Sequence, residues 1–229
     1  MNILVIGANG KAGHRIVEKA LKVGHQVTGV VRRKDAIKGI PTIVKDALQL
    51  TKDELMEMAT NAQGYIDHIY LHWSAGRYNQ SHTDKYHICI DENGNMYTDV
   101  NDFTEHRDHT YMRNGRAIGI SLNGCFDAIS PTNMGTEPPT EKQIYALSWL
   151  VALLCVQIGI PLDIQHVMTH AEAADNKDGM DLYYNDPTPY PNNTYGPDST
   201  CERWDLWVLH QGDPEWSGGD NLRGNARFI

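Results

Sequence analysis

Two histidines and an aspartate carry the chemistry that is easiest to read in this chain of 229 residues. His72 lies near the end of an apolar run over residues 65–73, which alternates around Ile66, Ile69 and Leu71 and reads as a strand. His170 follows a second such run over residues 163–169. Asp205 stands in Arg203-Trp204-Asp205-Leu206-Trp207. Neutral imidazole and carboxylate are good zinc ligands, and a catalytic zinc site keeps three protein ligands and one open position. Strand ends can converge on one cleft, so His72, His170 and Asp205 form a candidate set. Spacing alone does not single them out. Eleven histidines offer other triples, His166 lies four residues from His170 on the same strand face, and a strand-end histidine often serves only as a hydrogen-bonded structural residue.

The elements that must position these residues run from about Gly64 onward. Residues 86–90 and 117–123 read as further strands. Asp91-Glu92-Asn93-Gly94 reads as a hairpin turn, with Asn-Gly predicting type I′, and residues 95–97 begin the return strand. Residues 140–158 form an amphipathic helix, with Ile144, Leu147, Leu150, Val151, Leu154 and Ile158 at helical spacing. Thr140 is its expected N-cap, and Gly159 and Pro161 end it. Residues 174–201, rich in Asp, Asn, Pro and Tyr, read as a loop near the cleft.

The opening segment has a different texture. A short strand at residues 2–6 leads into Gly7-Ala8-Asn9-Gly10-Lys11-Ala12-Gly13. A helix marked by Ile16, Val17, Ala20, Leu21 and Val23 follows, closed by Gly24, and then a strand at residues 26–31 with Arg32 and Arg33 behind it. Residues 42–44 supply a possible third strand. This order resembles the start of NAD(P)-binding Rossmann proteins, where glycines let the backbone approach a pyrophosphate at a helix N-terminus. The likeness covers about 45 residues and then stops, whereas a dinucleotide site needs about six strands. No cofactor-binding residues are assigned to it. The expected division is a βαβ fragment over residues 1–58 and a second domain over residues 59–229, joined by a helix at residues 55–62.

Bulk composition narrows the functional classes. Apolar residues make up 41% of the chain, enough for a packed core. The net charge of −9 argues against a nucleic-acid partner, since that grip needs Lys and Arg against phosphates. It also argues against docking on an anionic membrane. No apolar run reaches the roughly 18 residues that would span a bilayer, so membrane insertion is not expected. Cys89, Cys125, Cys155 and Cys201 form no CxxC pair and read as buried free thiols. The start of the sequence lacks the basic n-region of a signal peptide, which fits cytoplasmic synthesis.

Taken in order, the motifs of residues 66–207 resemble the type-2 N-acetylmuramoyl-L-alanine amidases, which share a fold with peptidoglycan-recognition proteins. The nearest likeness is to the phage endolysin branch. The segments that carry it are Ile69-Tyr70-Leu71-His72-Trp73-Ser74-Ala75; Tyr86-His87-Ile88-Cys89-Ile90 with Asn93-Gly94; Ile118-Gly119-Ile120-Ser121-Leu122-Asn123-Gly124; the helix start from Pro139 to Gln143; Thr169-His170-Ala171-Glu172; and Arg203-Trp204-Asp205. The resemblance implies an α/β fold, a mixed central sheet flanked by helices with a zinc cleft on one face. It maps the metal ligands onto His72, His170 and Asp205, with Cys201 as a minor alternative for the third. It places the catalytic roles on Tyr86 and Arg203, and His109 and Trp73 on the substrate side. Ser121 stands where some relatives carry a Glu, which moves the burden towards Tyr86.

The resulting expectation is a zinc-dependent amidase, probing peptidoglycan or muropeptides as a monomer and reaching the wall after phage-type release or lysis. Two rivals stand beside it. A nicotinamide-dependent reductase would rest on Gly7, Gly10 and Gly13. A non-catalytic peptidoglycan-binding protein would resemble those recognition relatives that lose a metal ligand, whereas this chain keeps a full His/His/Asp set.

Overall fold

Strand β1 (Asn2–Ile6), helix α1 (Lys11–Lys22), strand β2 (Gln26–Val31) and strand β3 (Thr42–Val44) follow one another in the order their apolar patterns predict. They are seen in a computed structural model that describes residues 1–31, 37–44, 49–180 and 203–229, with Val44 described by its backbone alone. Two compact units divide the chain, Met1–Gln49 and Leu50–Ile229. In the first unit the three strands are parallel, in the order β1-β2-β3. Val5, Val17, Ala20, Val27 and Val31 form its small core. Gly13 lies so close to the Gly7 carbonyl that a side chain would overlap it, which is the tight turn a strand-to-helix glycine motif requires. Arg32 and Arg33 lie outside the described residues.

The second unit opens with α2 (Lys52–Asn61). Its Leu55, Met58 and Ala59 are buried in the core of the larger unit. The boundary expected at residues 58/59 therefore falls inside α2, and the units part at Gln49/Leu50 instead. Five strands follow: β4 (His68–Trp73), β5 (Ile88–Ile90), β6 (Met96–Tyr97), β7 (Ala117–Leu122) and β8 (Val167–Thr169). Their spatial order is β6-β5-β7-β4-β8, parallel throughout except for the β5–β6 pair. This is the expected mixed sheet. Helices α3 (Glu141–Leu154), α4 (His170–Ala174) and α5 (Ser217–Ala226) flank it.

Strand alternation decides which side chains meet the site. Ile69 and Leu71 of β4, with Ile118, Ile120 and Leu122 of β7, enter the main core against Leu147, Leu150 and Leu154 of α3. His68, Tyr70 and His72 therefore share the opposite face with Ala117, Gly119 and Ser121. Both faces of β7 are buried, as a central parallel strand requires.

Several boundaries differ from expectation. The strands expected at 65–73, 86–90 and 163–169 begin later, because only their C-terminal parts pair with a neighbour. The helix expected over 140–158 is α-helical to Leu154 and closes with a wider, π-helical turn over Cys155–Gly159. Together they make a stretch, Glu141–Gly159, long and apolar enough to cross a membrane; Ile144, Leu147, Leu150, Val151, Leu154 and Ile158 of it lie in the main core. At the hairpin, Gly94 has φ +84° while Asn93 does not have positive φ. The turn is therefore not type I′, which needs both central residues there; Asp91 caps it by accepting from the Asn93 and Asn95 amides. Helix α5 has no counterpart among the expected elements.

Candidate metal centre

The centre is built at the C-terminal ends of two adjacent parallel strands. Leu71 of β4 is in register with Thr169 of β8, so the next residues, His72 and His170, emerge side by side. Thr169 turns the chain from strand to helix through a capping box with Glu172, each accepting from the other's backbone amide. His170 is thereby the first residue of α4. The third donor arrives in a tight turn at Trp204–Trp207, closed by the Trp207 amide donating to the Trp204 carbonyl. The Asp205 carbonyl accepts from the Ala171 amide at 3.2 Å, tying the turn to α4.

Ligand atoms of His72, His170 and Asp205 all lie within 4.8 Å of one another. Asp205 Oδ2 is 2.9 Å from His170 Nδ1 and 3.3 Å from His72 Nδ1. His72 is fully buried and Asp205 nearly so. Burial lowers the His72 imidazole to about 4, with His170 adding to the effect and Asp205 opposing it. Burial alone would raise the Asp205 carboxyl; the charge and hydrogen bonds of His170 and His72 outweigh it and hold the group at about 2. Near neutral pH the centre thus offers a neutral imidazole and an ionised carboxylate. Both are the protonation states that a divalent metal demands of its ligands. The other ring nitrogen of His72, Nε2, is 3.1 Å from the Thr110 hydroxyl, the outer tie that ligating histidines characteristically have. The donor set, its charge and its outer hydrogen bond all fit zinc.

Tyr86 stands beside this cluster, its ring centroid 5.1 Å from that of His72. Burial, with the nearby Asp205 charge, raises its phenol well above the usual range, against a hydrogen bond with Ser121 that lowers it. Tyr86 is therefore a protonated donor across the physiological range. Arg203 lies two residues before Asp205, half-buried, with its guanidinium 5.5 Å from the ring of Tyr111. Two residues assigned to the substrate side are placed differently. Trp73 is 4% exposed and packs with Cys125, Met134 and Val208, because it follows the core-facing alternation of β4. His109 is also buried and packs beneath the cluster, 5.5 Å from His72 and 5.7 Å from His87 between ring centroids. Neither offers a face to a bound substrate. Cys201 lies outside the described residues, as do residues 181–200 of the expected loop. Cys89, Cys125 and Cys155 are buried free thiols, and burial pushes Cys89 up to about 12 and Cys155 to about 11.

Supporting residues without a sequence signature complete the centre. The Asn114 side chain accepts from the amides of both His109 and Thr110, fixing that dipeptide against β7. A side chain at Gly119 would overlap the His109 ring. Helix α5 buttresses two ligands at once. Arg223 donates to both carboxylate oxygens of Glu172 at 2.7 and 2.8 Å and to the Val167 carbonyl at 2.9 Å, so it holds the β8–α4 junction that carries His170. Gly218 packs directly on the Leu206 carbonyl, beside Asp205.

The chain thus joins a mixed α/β sheet to a His/His/Asp donor set that could hold a metal ion. Residues 62–186 match the family model described as N-acetylmuramoyl-L-alanine amidase. That is more than half of the chain, and the protein belongs to this family. The match includes His72, Tyr86 and His170 and ends before Arg203 and Asp205, whose place in the centre rests on geometry. Among solved structures, the chain is similar to a peptidoglycan recognition protein, PGRP-LB, of Drosophila, at 19% identity over 48% of this chain and 72% of that one, TM-score 0.37. It is also similar to PGRP-Hd from Alvinella pompejana, at 18% identity over 47% and 73%, TM-score 0.34. Two curated proteins also match part of the chain. One is the uncharacterized protein YwnB of Bacillus subtilis (strain 168), 37% identical over 82 residues, 34% of this chain. The other is a 4-hydroxy-tetrahydrodipicolinate reductase of Natronomonas pharaonis, 37% identical over 67 residues, 29% of this chain. The matched segments span 38% and 24% of those relatives' lengths.

Proposed function

We propose that the protein is a zinc-dependent N-acetylmuramoyl-L-alanine amidase, hydrolysing the amide between the lactyl group of N-acetylmuramic acid and L-alanine in peptidoglycan. The observation that carries this reading is the convergence of His72 Nδ1, His170 Nδ1 and Asp205 Oδ2 in one buried cluster. These three residues would hold the ion. When bound, zinc supplies Lewis acidity: it polarises a carbonyl and brings the pKa of a coordinated water towards neutrality.

The protein's own groups then have distinct tasks. Tyr86, protonated and adjacent to His72, donates a hydrogen bond to the amide carbonyl oxygen as negative charge grows there, or to the departing amine. A fixed donor of this kind is worth more in a buried site than in water. Arg203 contributes a permanent positive charge from the turn that carries Asp205. Its planar fork can engage a carbonyl or carboxylate oxygen through two N–H groups. Asp205, kept ionised, brings a negative charge that offsets the guanidinium's. Ser121 holds the Tyr86 hydroxyl in line. We extend the proposal to release at the cell wall on lysis, acting as a monomer.

Muropeptide release from purified wall, with matched metal analysis, tests the scheme. Activity should track zinc content near one ion per chain, vanish with a chelator and return on adding zinc. Undiminished release from fully metal-depleted protein would overturn it. A non-catalytic wall-binding protein would retain pull-down on peptidoglycan yet release nothing with zinc bound.

A further inference from the structure

One buried group has no task in this scheme. His109 is 8% exposed, and its Nε2 has no hydrogen-bond partner among the described residues. Its other ring nitrogen, Nδ1, is 2.9 Å from the Thr110 hydroxyl. The same hydroxyl is 3.1 Å from His72 Nε2. Three side chains thus form a line ending on the ring that faces Asp205 and His170. We infer that Thr110 and His109 are positioning residues that set the tautomer and tilt of His72, an inference that rests on His72 being a metal ligand.

Proton counting gives the direction. A hydroxyl has one proton to donate and can accept from another group. For His72 to present a bare Nδ1 to a cation, its proton must sit on Nε2 and be donated to the Thr110 oxygen. The Thr110 proton must then point the other way, and the acceptor in that direction is His109 Nδ1. His109 in turn carries its own proton on Nε2, the atom left without a partner. An apolar residue at position 109 would remove the acceptor. The Thr110 hydroxyl would then be free to donate to His72 Nε2, favouring the tautomer with Nδ1 protonated, which cannot ligate. Leaving one N–H unpaired in the interior costs free energy, so its retention calls for a compensating role. The surroundings hold the line in place: Asn114 pins the backbone of both residues, and Gly119 leaves room for the His109 ring where any side chain would overlap it.

The test uses the full chain. Zinc affinity is measured by competition with a chromophoric chelator for wild type, Thr110→Val, Thr110→Ser and His72→Ala. Thr110→Val keeps the shape and removes the hydroxyl; it should bind zinc about 10- to 100-fold more weakly, the range for an outer-sphere partner, whereas Thr110→Ser should stay within about threefold of wild type. Nitrogen-15 histidine NMR of zinc-loaded wild type should show His72 protonated at Nε2 and His109 protonated at Nε2 only. That measurement decides the matter even if Thr110→Val does not fold. Wild-type affinity in Thr110→Val, or a proton on His109 Nδ1 in the loaded protein, overturns the inference while leaving the metal centre standing. Equal zinc binding by wild type and His72→Ala overturns the metal reading itself.

Discussion

Replacing Arg223 by methionine should destabilise the larger unit far more than a helix-surface change would. Arg223 and Glu172 are each about 5% exposed at the side chain, and the pair is bidentate. The guanidinium also satisfies the Val167 carbonyl. Removing it leaves the Glu172 carboxylate buried, with the Thr169 amide as its remaining donor among the described residues. Breaking one side of a buried pair costs about 3–5 kcal/mol; the exposed Asp220, which Arg223 also meets, adds little. With a urea m-value of about 2 kcal/mol/M for a unit of this size, the midpoint should fall by roughly 2 M. Tryptophan fluorescence suits the assay, because all five tryptophans lie in the larger unit. The double variant Glu172→Gln/Arg223→Met removes the stranded charge and keeps an oxygen for the Thr169 amide. It should recover about half of the loss, in the manner of neutral replacements of buried pairs. A single-variant cost below about 1 kcal/mol, or a double variant no better than the single, would refute the view that α5 clamps the β8–α4 junction through this charge pair.

Three further outcomes follow from the same geometry. His72→Ala should lose bound zinc and muropeptide release together, with far-ultraviolet circular dichroism unchanged; retained stoichiometric zinc would separate His72 from the centre. Gly119→Ala should cost about 2 kcal/mol or more through overlap with the His109 ring, and the same change should cost clearly less in a His109→Ala background, as urea melts of the four proteins will show. His87 predicts a pH effect. Its Nδ1 accepts from the Gly119 amide while Nε2 donates to the Glu105 carbonyl, so the ring is held neutral, and burial lowers its pKa from 6.5 to about 4. The unfolded chain binds the extra proton first. The stabilisation is therefore complete above about pH 6.5, declines as pH falls, and is spent below about pH 4, a loss of up to about 3 kcal/mol. Urea midpoints for wild type and His87→Gln should converge across that window; parallel curves would count against it.

Helix α5 shows why part of this centre was hidden in the sequence. Strand ends, the Thr140 N-cap and the α3 stripe are local patterns, and they placed His72 and His170 at the ends of strands, whereas the Thr169 capping box went unread. Asp205 came through resemblance, since a turn at Trp204–Trp207 leaves no periodic trace. By contrast, Ser217–Ala226 contains Gly218, Gly219 and Gly224, each a poor helix former by about 1 kcal/mol against alanine. Propensity reads such a segment as loop. Tertiary packing demands the first two glycines: a side chain at Gly218 would overlap the Leu206 carbonyl, and one at Gly219 would overlap the Glu172 carboxylate. The helix can approach the Asp205 turn and the His170 helix only where it is bare, and Leu222 and Ala226, one and two turns further along the face that carries Gly218, bury apolar surface that offsets the loss. Thr110 is hidden for a related reason. It meets His72 across 38 residues of sequence through a single hydroxyl, and no spacing rule links the two. Local sequence pattern thus reveals the donors that strands deliver, while the parts that hold those donors still are written in close approaches that become visible only when the chain is folded.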